Sequence, residues 1–262
     1  MTMESASPLQ ISSAFIWRRV HSLMGFWLVL YLILHLITNS QAALWMGNDG
    51  AGFVRMVNAL ESLPYLHVVE VILIGVPLAI HLVWGIKRTL EARSNVVSLK
   101  YERNIAYSLQ RLTSWILTVG IIGHVVQMRF LEMPKQVEVN GQEQSMVILN
   151  VDDGLYPLAL RLGVTLQDSE KPNQVVAVAD SPGKAMLLML RATFKSPLYA
   201  VLYTIFLLAA AFHAFNGFWT FLVTWGVILS YRSQKAMIPV CMIGVAVLAF
   251  LGLAAIWGSY WK

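Results

Sequence analysis

Five stretches of this chain are too apolar and too long to rest in water, and they decide its class. The first, Val20 to Thr38, lies between Arg19 and Asn39 and holds only His21 and His35 as ionisable side chains. A helix of about 20 residues crosses the roughly 30 Å hydrocarbon core of a bilayer, and exposed irregular backbone is too costly there. The spans read as about 19–40, 65–86, 111–129, 197–231 and 237–261. The third leaves 17 residues between Arg111 and Arg129, near the lower limit for crossing. The fourth, from Pro197 to Tyr231, is some 50 Å long as a helix and must tilt or overhang. Ser40-Gln41-Ala42 has the look of a signal-peptidase site. The run before it is too long and carries a histidine at mid-depth, so the segment reads as a span. The expectation is an all-α membrane protein with five transmembrane helices.

Composition agrees. Charged residues make up 13% and apolar ones 57%, whereas soluble domains carry about a quarter charged. The single cysteine, Cys241, leaves no internal disulfide, no thiolate cluster and no C-x-x-C-H haem attachment. Charge placement sets the orientation. With the N-terminus cytoplasmic, ten basic residues face the inside against three acids, Glu4, Glu91 and Glu102. The ten include Arg18, Arg19, Arg93, Lys100, Arg103 and Arg111; the other side has nine basic residues against eleven acids. This reads as N-in, C-out, and the basic balance is membrane topology rather than a nucleic-acid footprint.

The long insert, 130–196, then lies outside. Gln136 to Leu149 alternates around Asn140-Gly141, a pair favoured in two-residue hairpins. Gly183 to Phe194 reads as a short helix, suited to lying in the interface.

Four histidines fall well inside spans: His35, His81, His124 and His213. Ionisable groups there mark function by default, although histidine also serves as interhelical glue. One on each of four helices suits either a proton relay or two pairs of axial metal ligands. Depth favours pairs. At 1.5 Å per residue, His35 and His124 sit about 20–24 Å beyond the inner ends of their spans, while His81 lies about 9 Å from Lys87. His213 lies about 24 Å beyond Pro197, toward the inside. The outer pair is His35 with His124, the inner His81 with His213; non-covalent b-type haems would fit between them. Gly85 and Gly217 share a helix face with His81 and His213, and Gly123 adjoins His124.

Glu70 lies a turn and a half into the second span among apolar neighbours, where desolvation favours a protonated carboxyl and suits proton exchange with a reduced carrier; Glu61 is a weaker candidate. His21 beside Arg18 and Arg19 could contact a haem propionate or a quinone, as could Arg111, Arg103 and Lys100 a propionate or a partner protein. His67 reads as a wetted interface residue.

The chain carries, in order, Arg-Arg-Val-His-Ser-Leu-Met-Gly (18–25), Leu-His-Leu (34–36), Glu-Ser-Leu-Pro (61–64), His-Leu-Val-Trp-Gly (81–85), Leu-Gln-Arg-Leu-Thr (109–113), Gly-His-Val (123–125), Phe-His-Ala-Phe-Asn-Gly-Phe-Trp (212–219), Thr-Trp-Gly (224–226) and Arg-Ser-Gln (232–234). Over about 15–130 and 197–260 this resembles the di-haem cytochrome b anchors of succinate:menaquinone oxidoreductases, the single-polypeptide five-helix type. The resemblance implies a haem-binding four-helix bundle of helices I–IV with a peripheral fifth helix. It implies two haem b groups, the proximal one on His81 and His213 and the distal one on His35 and His124. It also implies menaquinone as electron acceptor, with Glu70 near its site. Flavoprotein and iron–sulfur subunits of a succinate dehydrogenase would dock on the cytoplasmic face of the inner membrane. Two features depart from the family: the 130–196 insert is longer, and Ala211 stands where some fumarate-reducing relatives place a glutamate. The competing readings are a di-haem anchor of another dehydrogenase, or a haem-free transporter or proton channel.

Overall fold

A computed structural model describes residues 12–44, 47–92, 98, 101–139 and 141–261. Glu4, Arg93, Lys100 and Asn140, which entered the charge count and the hairpin reading, lie outside the described residues. Among the described residues five helices are long and apolar enough to cross a membrane: Ser13–Ser40, Leu66–Leu90, Glu102–Leu131, Pro197–Thr224 and Tyr231–Tyr260.

Boundaries moved where local chemistry outweighs hydropathy. The first span starts at a cap, the Ser12 side chain accepting from Phe15 N at 3.3 Å. The third begins at Glu102, well before the expected Arg111, and its polar first turns extend beyond the apolar stretch. The fourth ends at Thr224, short of the expected Tyr231. Gly226 takes φ +74°, Gly226 N donates to Val223 O, and Val227 N donates to Leu222 O. This double closure terminates a helix on a left-handed glycine. The expected 50 Å helix is therefore a shorter one of 28 residues followed by a turn.

The second span is α-helical except at Val71–Gly75, where it widens into a π-turn. Pro77 lacks the N–H that Leu73 O would receive in a regular helix. The Trp27 indole of the first span donates to Leu73 O at 2.6 Å instead, so the freed carbonyl is satisfied across the interface.

The first span packs on the second, fourth and fifth, and the third packs on the fourth and, lightly, on the second. Spans one to four thus form a bundle in which one faces three and two faces four along the diagonals, as the four-plus-one arrangement requires. The fifth span lies against the fourth and first. Glycines permit that approach: a Cβ on Gly244 would enter the Phe215 ring, and one on Gly252 the Leu207 side chain.

The expected mostly helical membrane fold is what forms, with one small sheet added in the insert. The insert holds a four-stranded antiparallel sheet, β1 (Lys135–Val139), β2 (Gln142–Asn150), β3 (Thr165–Asp168) and β4 (Gln174–Ala179), in the order β1-β2-β4-β3. The expected hairpin is β1–β2, with Lys135 opposite Met146 and Val139 opposite Gln142. Ser145, Val147 and Leu149 of β2 and Val175, Ala177 and Ala179 of β4 turn one face inward. The helix Pro182–Phe194 covers the sheet, and Leu187 and Leu188 are almost fully buried. It is the insert's core element, not the interfacial helix expected from its sequence. It also packs on the helix Ala51–Glu61, where Gly183 N donates to Asn58 Oδ1 at 2.8 Å. A Cβ on Gly183 would lie 2.6 Å from Val54 O, so only glycine allows that approach.

Candidate functional site

The bundle interior holds two histidine pairs, each across a diagonal. His35 faces His124 with ring centroids 5.9 Å apart. His81 faces His213 at 6.3 Å. These are the pairings that depth alone predicts. Gly25 sits against the His81 ring, where a Cβ would fall 2.7 Å from Cε1. His81 is therefore level with residue 25 of the first span, ten residues or about 15 Å from His35. Thr113 touches His213, and His124 lies eleven residues further along the same helix, about 16 Å. Two independent helices give one separation between the levels. One pair is near the end carrying the insert; the other is near the basic end, marked by Arg18, Lys87, Arg88 and Arg103.

The second nitrogen of each ring decides what the pairs can hold. His81 Nδ1 lies 3.1 Å from His21 O, a pure acceptor, so Nδ1 carries the proton and donates. The Thr113 hydroxyl donates to Leu109 O at 2.8 Å, so its oxygen accepts from His213 Nδ1 at 3.2 Å. Tyr203 Oη lies 3.2 Å from His124 Nδ1 and donates its own hydrogen to Gln127 Oε1 at 3.1 Å, so it too accepts from the ring. In all three, Nε2 is left with a bare lone pair, the form that ligates a metal. His35 is looser: Tyr31 Oη is 3.5 Å from Nδ1, and the Asn39 amide, 3.5 Å from Nε2, is committed to His35 O at 2.8 Å.

An imidazole nitrogen binds a first-row metal at about 2 Å, so two rings on opposite sides of one ion stand with centres about 6 Å apart, the spacing seen here. Among the described residues no three histidine, cysteine or acidic side chains converge on a point. A two-nitrogen set suits an ion whose other ligands come from a macrocycle, as haem iron's do. Buried polar atoms add to the fit at the basic end: among the described residues His21 Nδ1 and Ser108 Oγ have no hydrogen-bond partner. His21 stacks on His81 with centroids 4.1 Å apart. A propionate would supply the acceptor both atoms lack. Gln110 links the neighbouring backbone, donating to His213 O at 3.1 Å and accepting from Asn216 Nδ2 at 2.7 Å.

Other expected site residues are placed differently. Arg19 lies 3.6 Å over the Phe15 ring and Arg111 3.2 Å over Tyr107, each on its own helix. Arg18 lines a small cavity with Trp84, Lys87 and Arg88. A Cβ on Gly123 would meet open space, but one on Gly217 would meet Gln110 and one on Gly85 the His21 ring. Glu70 is not among apolar neighbours. Arg129 Nη2 donates to Glu70 Oε2 at 2.8 Å and approaches His67 Nδ1 at 2.7 Å. Because the guanidinium donates to it, His67 is a neutral acceptor, and its 3.5 Å approach to Glu70 is not an ion pair. Glu61 ends the 51–61 helix and has no ion pair among the described residues. Sequence reasoning assigned no role to Thr113, Asn216 or Gly25, although all three lie inside the quoted motifs. Tyr203, Gln127 and Arg129 carried no signal.

Fold and site together define a multi-pass membrane protein whose bundle holds facing histidine pairs at two depths. In sequence the chain is 27% identical over 243 residues to the succinate dehydrogenase cytochrome b558 subunit of Bacillus subtilis (strain 168), an overlap of 92% of this chain and 95% of that protein. The resemblance read from the ordered motifs is thus matched by similarity along nearly the full length. No protein-family model and no solved structure matches the chain.

Proposed function

We propose that this chain is the membrane-anchoring, electron-transferring subunit of a succinate dehydrogenase, and that it holds two b haems and a quinone site. One observation carries the reading: two diagonal histidine pairs stand with ring centres 5.9 and 6.3 Å apart, and Nδ1 is satisfied in three of the four rings, which leaves their Nε2 atoms free to ligate. Haem bound there would supply one-electron transfer between an iron–sulfur partner and menaquinone. The chain's own part is ligation, burial and polarity. His81 and His213 would hold the proximal group, with His21 and Ser108 toward its propionates; His35 and His124 would hold the distal one. The charge balance supports an N-terminus in the cytoplasm and a C-terminus outside. The basic end would then receive the flavoprotein and iron–sulfur subunits in the cytoplasmic membrane, and the insert would lie outside. Purified protein from haem-replete cells should contain two haems per chain with six-coordinate, low-spin spectra. A colourless preparation would end the redox reading.

At the insert end, Glu70, held by Arg129, is the group that exchanges protons with the quinone on this reading. Glu70→Gln should lower quinone turnover by about 100-fold, the low end of what a positioned acid–base group contributes, with haem content unchanged. Normal turnover in that variant would move the role to another residue.

A further inference from the structure

One polar chain connects the distal pair to the insert. Thr193, near the end of the 182–194 helix, donates to Glu132 Oε2 at 2.7 Å. Gln127 Nε2 donates to Glu132 Oε1 at 2.8 Å. Tyr203 Oη donates to Gln127 Oε1 at 3.1 Å and lies 3.2 Å from His124 Nδ1. The residues come from the third span, the loop that leaves it, the insert and the fourth span. The π-turn Val126–Leu131 closes with Glu132 N on Gln127 O at 2.9 Å, which brings the two side chains together.

The order of donors along this chain is forced from one end. A carboxylate only accepts. Gln127 must therefore turn its NH2 to Glu132 and its carbonyl to Tyr203. The Tyr203 hydrogen then goes to that carbonyl, and the phenol oxygen can only accept from His124 Nδ1–H. Nε2 of His124 is thereby fixed as the bare nitrogen. An amide at position 132 has no such polarity and allows the whole chain to reverse. The proximal pair has no counterpart: its Nδ1 atoms end on a backbone carbonyl and a threonine hydroxyl.

We infer that Glu132 is a positioning residue for the distal haem, setting the tautomer and electron-donating strength of His124 through Gln127 and Tyr203, and so coupling the insert to the redox centre. The inference rests on His124 being an axial ligand. A hydrogen bond from the ligand's second nitrogen into a chain ending on a carboxylate makes the imidazole a stronger donor to iron. That favours the oxidised ion, so losing the chain should raise the potential.

The test is a redox titration of the assembled complex, following the two haems optically, the distal one being identified as the haem lost in His35→Ala. Glu132→Gln should raise the ferrous-to-ferric ratio of the distal haem about tenfold at a fixed poise, a shift of about 59 mV for one electron, and leave the proximal haem unmoved. Gln127→Met, which breaks the chain but keeps the charge, should give the same shift, and it serves alone if Glu132→Gln does not accumulate. The double variant should shift no further than either single one, because one path is being cut twice. Equal shifts of both haems, or a Gln127→Met variant at the wild-type potential, would reduce Glu132 to a distant charge and overturn the inference. Unchanged potentials with both haems present overturn it while sparing the proposed function, whereas a wild-type complex lacking the distal haem overturns both.

Discussion

His81→Ala is expected to remove one of two haems and His35→Ala the other, each halving the haem bound per chain while the remaining spectrum stays six-coordinate and low-spin. The two levels are about 15 Å apart along the first span, and among the described residues no hydrogen bond or ring contact joins one pair to the other, so neither loss should propagate. The pairing adds a stricter condition. His213→Ala should reproduce His81→Ala, His124→Ala should reproduce His35→Ala, and a double substitution within one pair should cost no more haem than a single one. Residues acting as one unit are non-additive in this way. A relay of four histidines would behave otherwise: each substitution would slow proton movement, and no subset would share a spectrum. Haem content by pyridine haemochrome in the six variants decides the matter, and retention of both haems after either His81→Ala or His35→Ala refutes the ligand assignment.

The pairs are legible in the sequence because depth in a membrane is a one-dimensional quantity. Counting residues from a flanking arginine places a side chain to within a turn, and four histidines at two depths leave few combinations. The groups that fix the hydrogen bonding of those histidines were not legible. Thr113 and Tyr203 act on His213 and His124 across 100 and 79 residues of sequence, and no periodicity encodes such a contact. The acceptor for His81 is the backbone oxygen of His21, which no side-chain pattern can reveal. Glu70 was misjudged for a related reason: its neighbours in sequence are apolar, but its neighbour in space is Arg129, 59 residues on. The end of the fourth span was a different kind of miss. Trp225-Gly226 carried the stop signal, and a hydropathy run outvoted it. In the insert, Asn140-Gly141 announced β1 and β2, whereas β3 and β4 are short strands whose partners are set by the sheet. The apolar pattern of 183–194 suits an interfacial helix equally well, because nothing in it names the sheet it covers.

That buried helix holds the second large expected effect. Arg191, 1% exposed at the centre of the insert, is gripped from both sides of its guanidinium by Asp152, with Nη1–Oδ2 at 2.7 Å and Nη2–Oδ1 at 2.5 Å. Asp152 also accepts from Gly154 N at 2.9 Å, ordering the turn into the 155–162 helix. Breaking a buried pair by removing one partner costs about 3–5 kcal/mol, because the other charge stays out of water. With the carboxylate 31% exposed, Asp152→Ala should cost near the low end, about 3 kcal/mol. The same pair makes the insert sensitive to acid. The Arg191 hydrogen bonds hold the Asp152 carboxyl below the usual carboxylate range, and the Gly154 N–H adds to this. A carboxyl more acidic in the folded state contributes stability that is complete above its unfolded value and is lost as pH falls through its folded one. Limited proteolysis of the whole protein should therefore cut within 130–196 far sooner in Asp152→Ala than in wild type at neutral pH. The difference should shrink as pH drops below the carboxylate range. Equal cutting rates at neutral pH would mean that the sheet and the apolar face of the 182–194 helix hold the insert together without this pair.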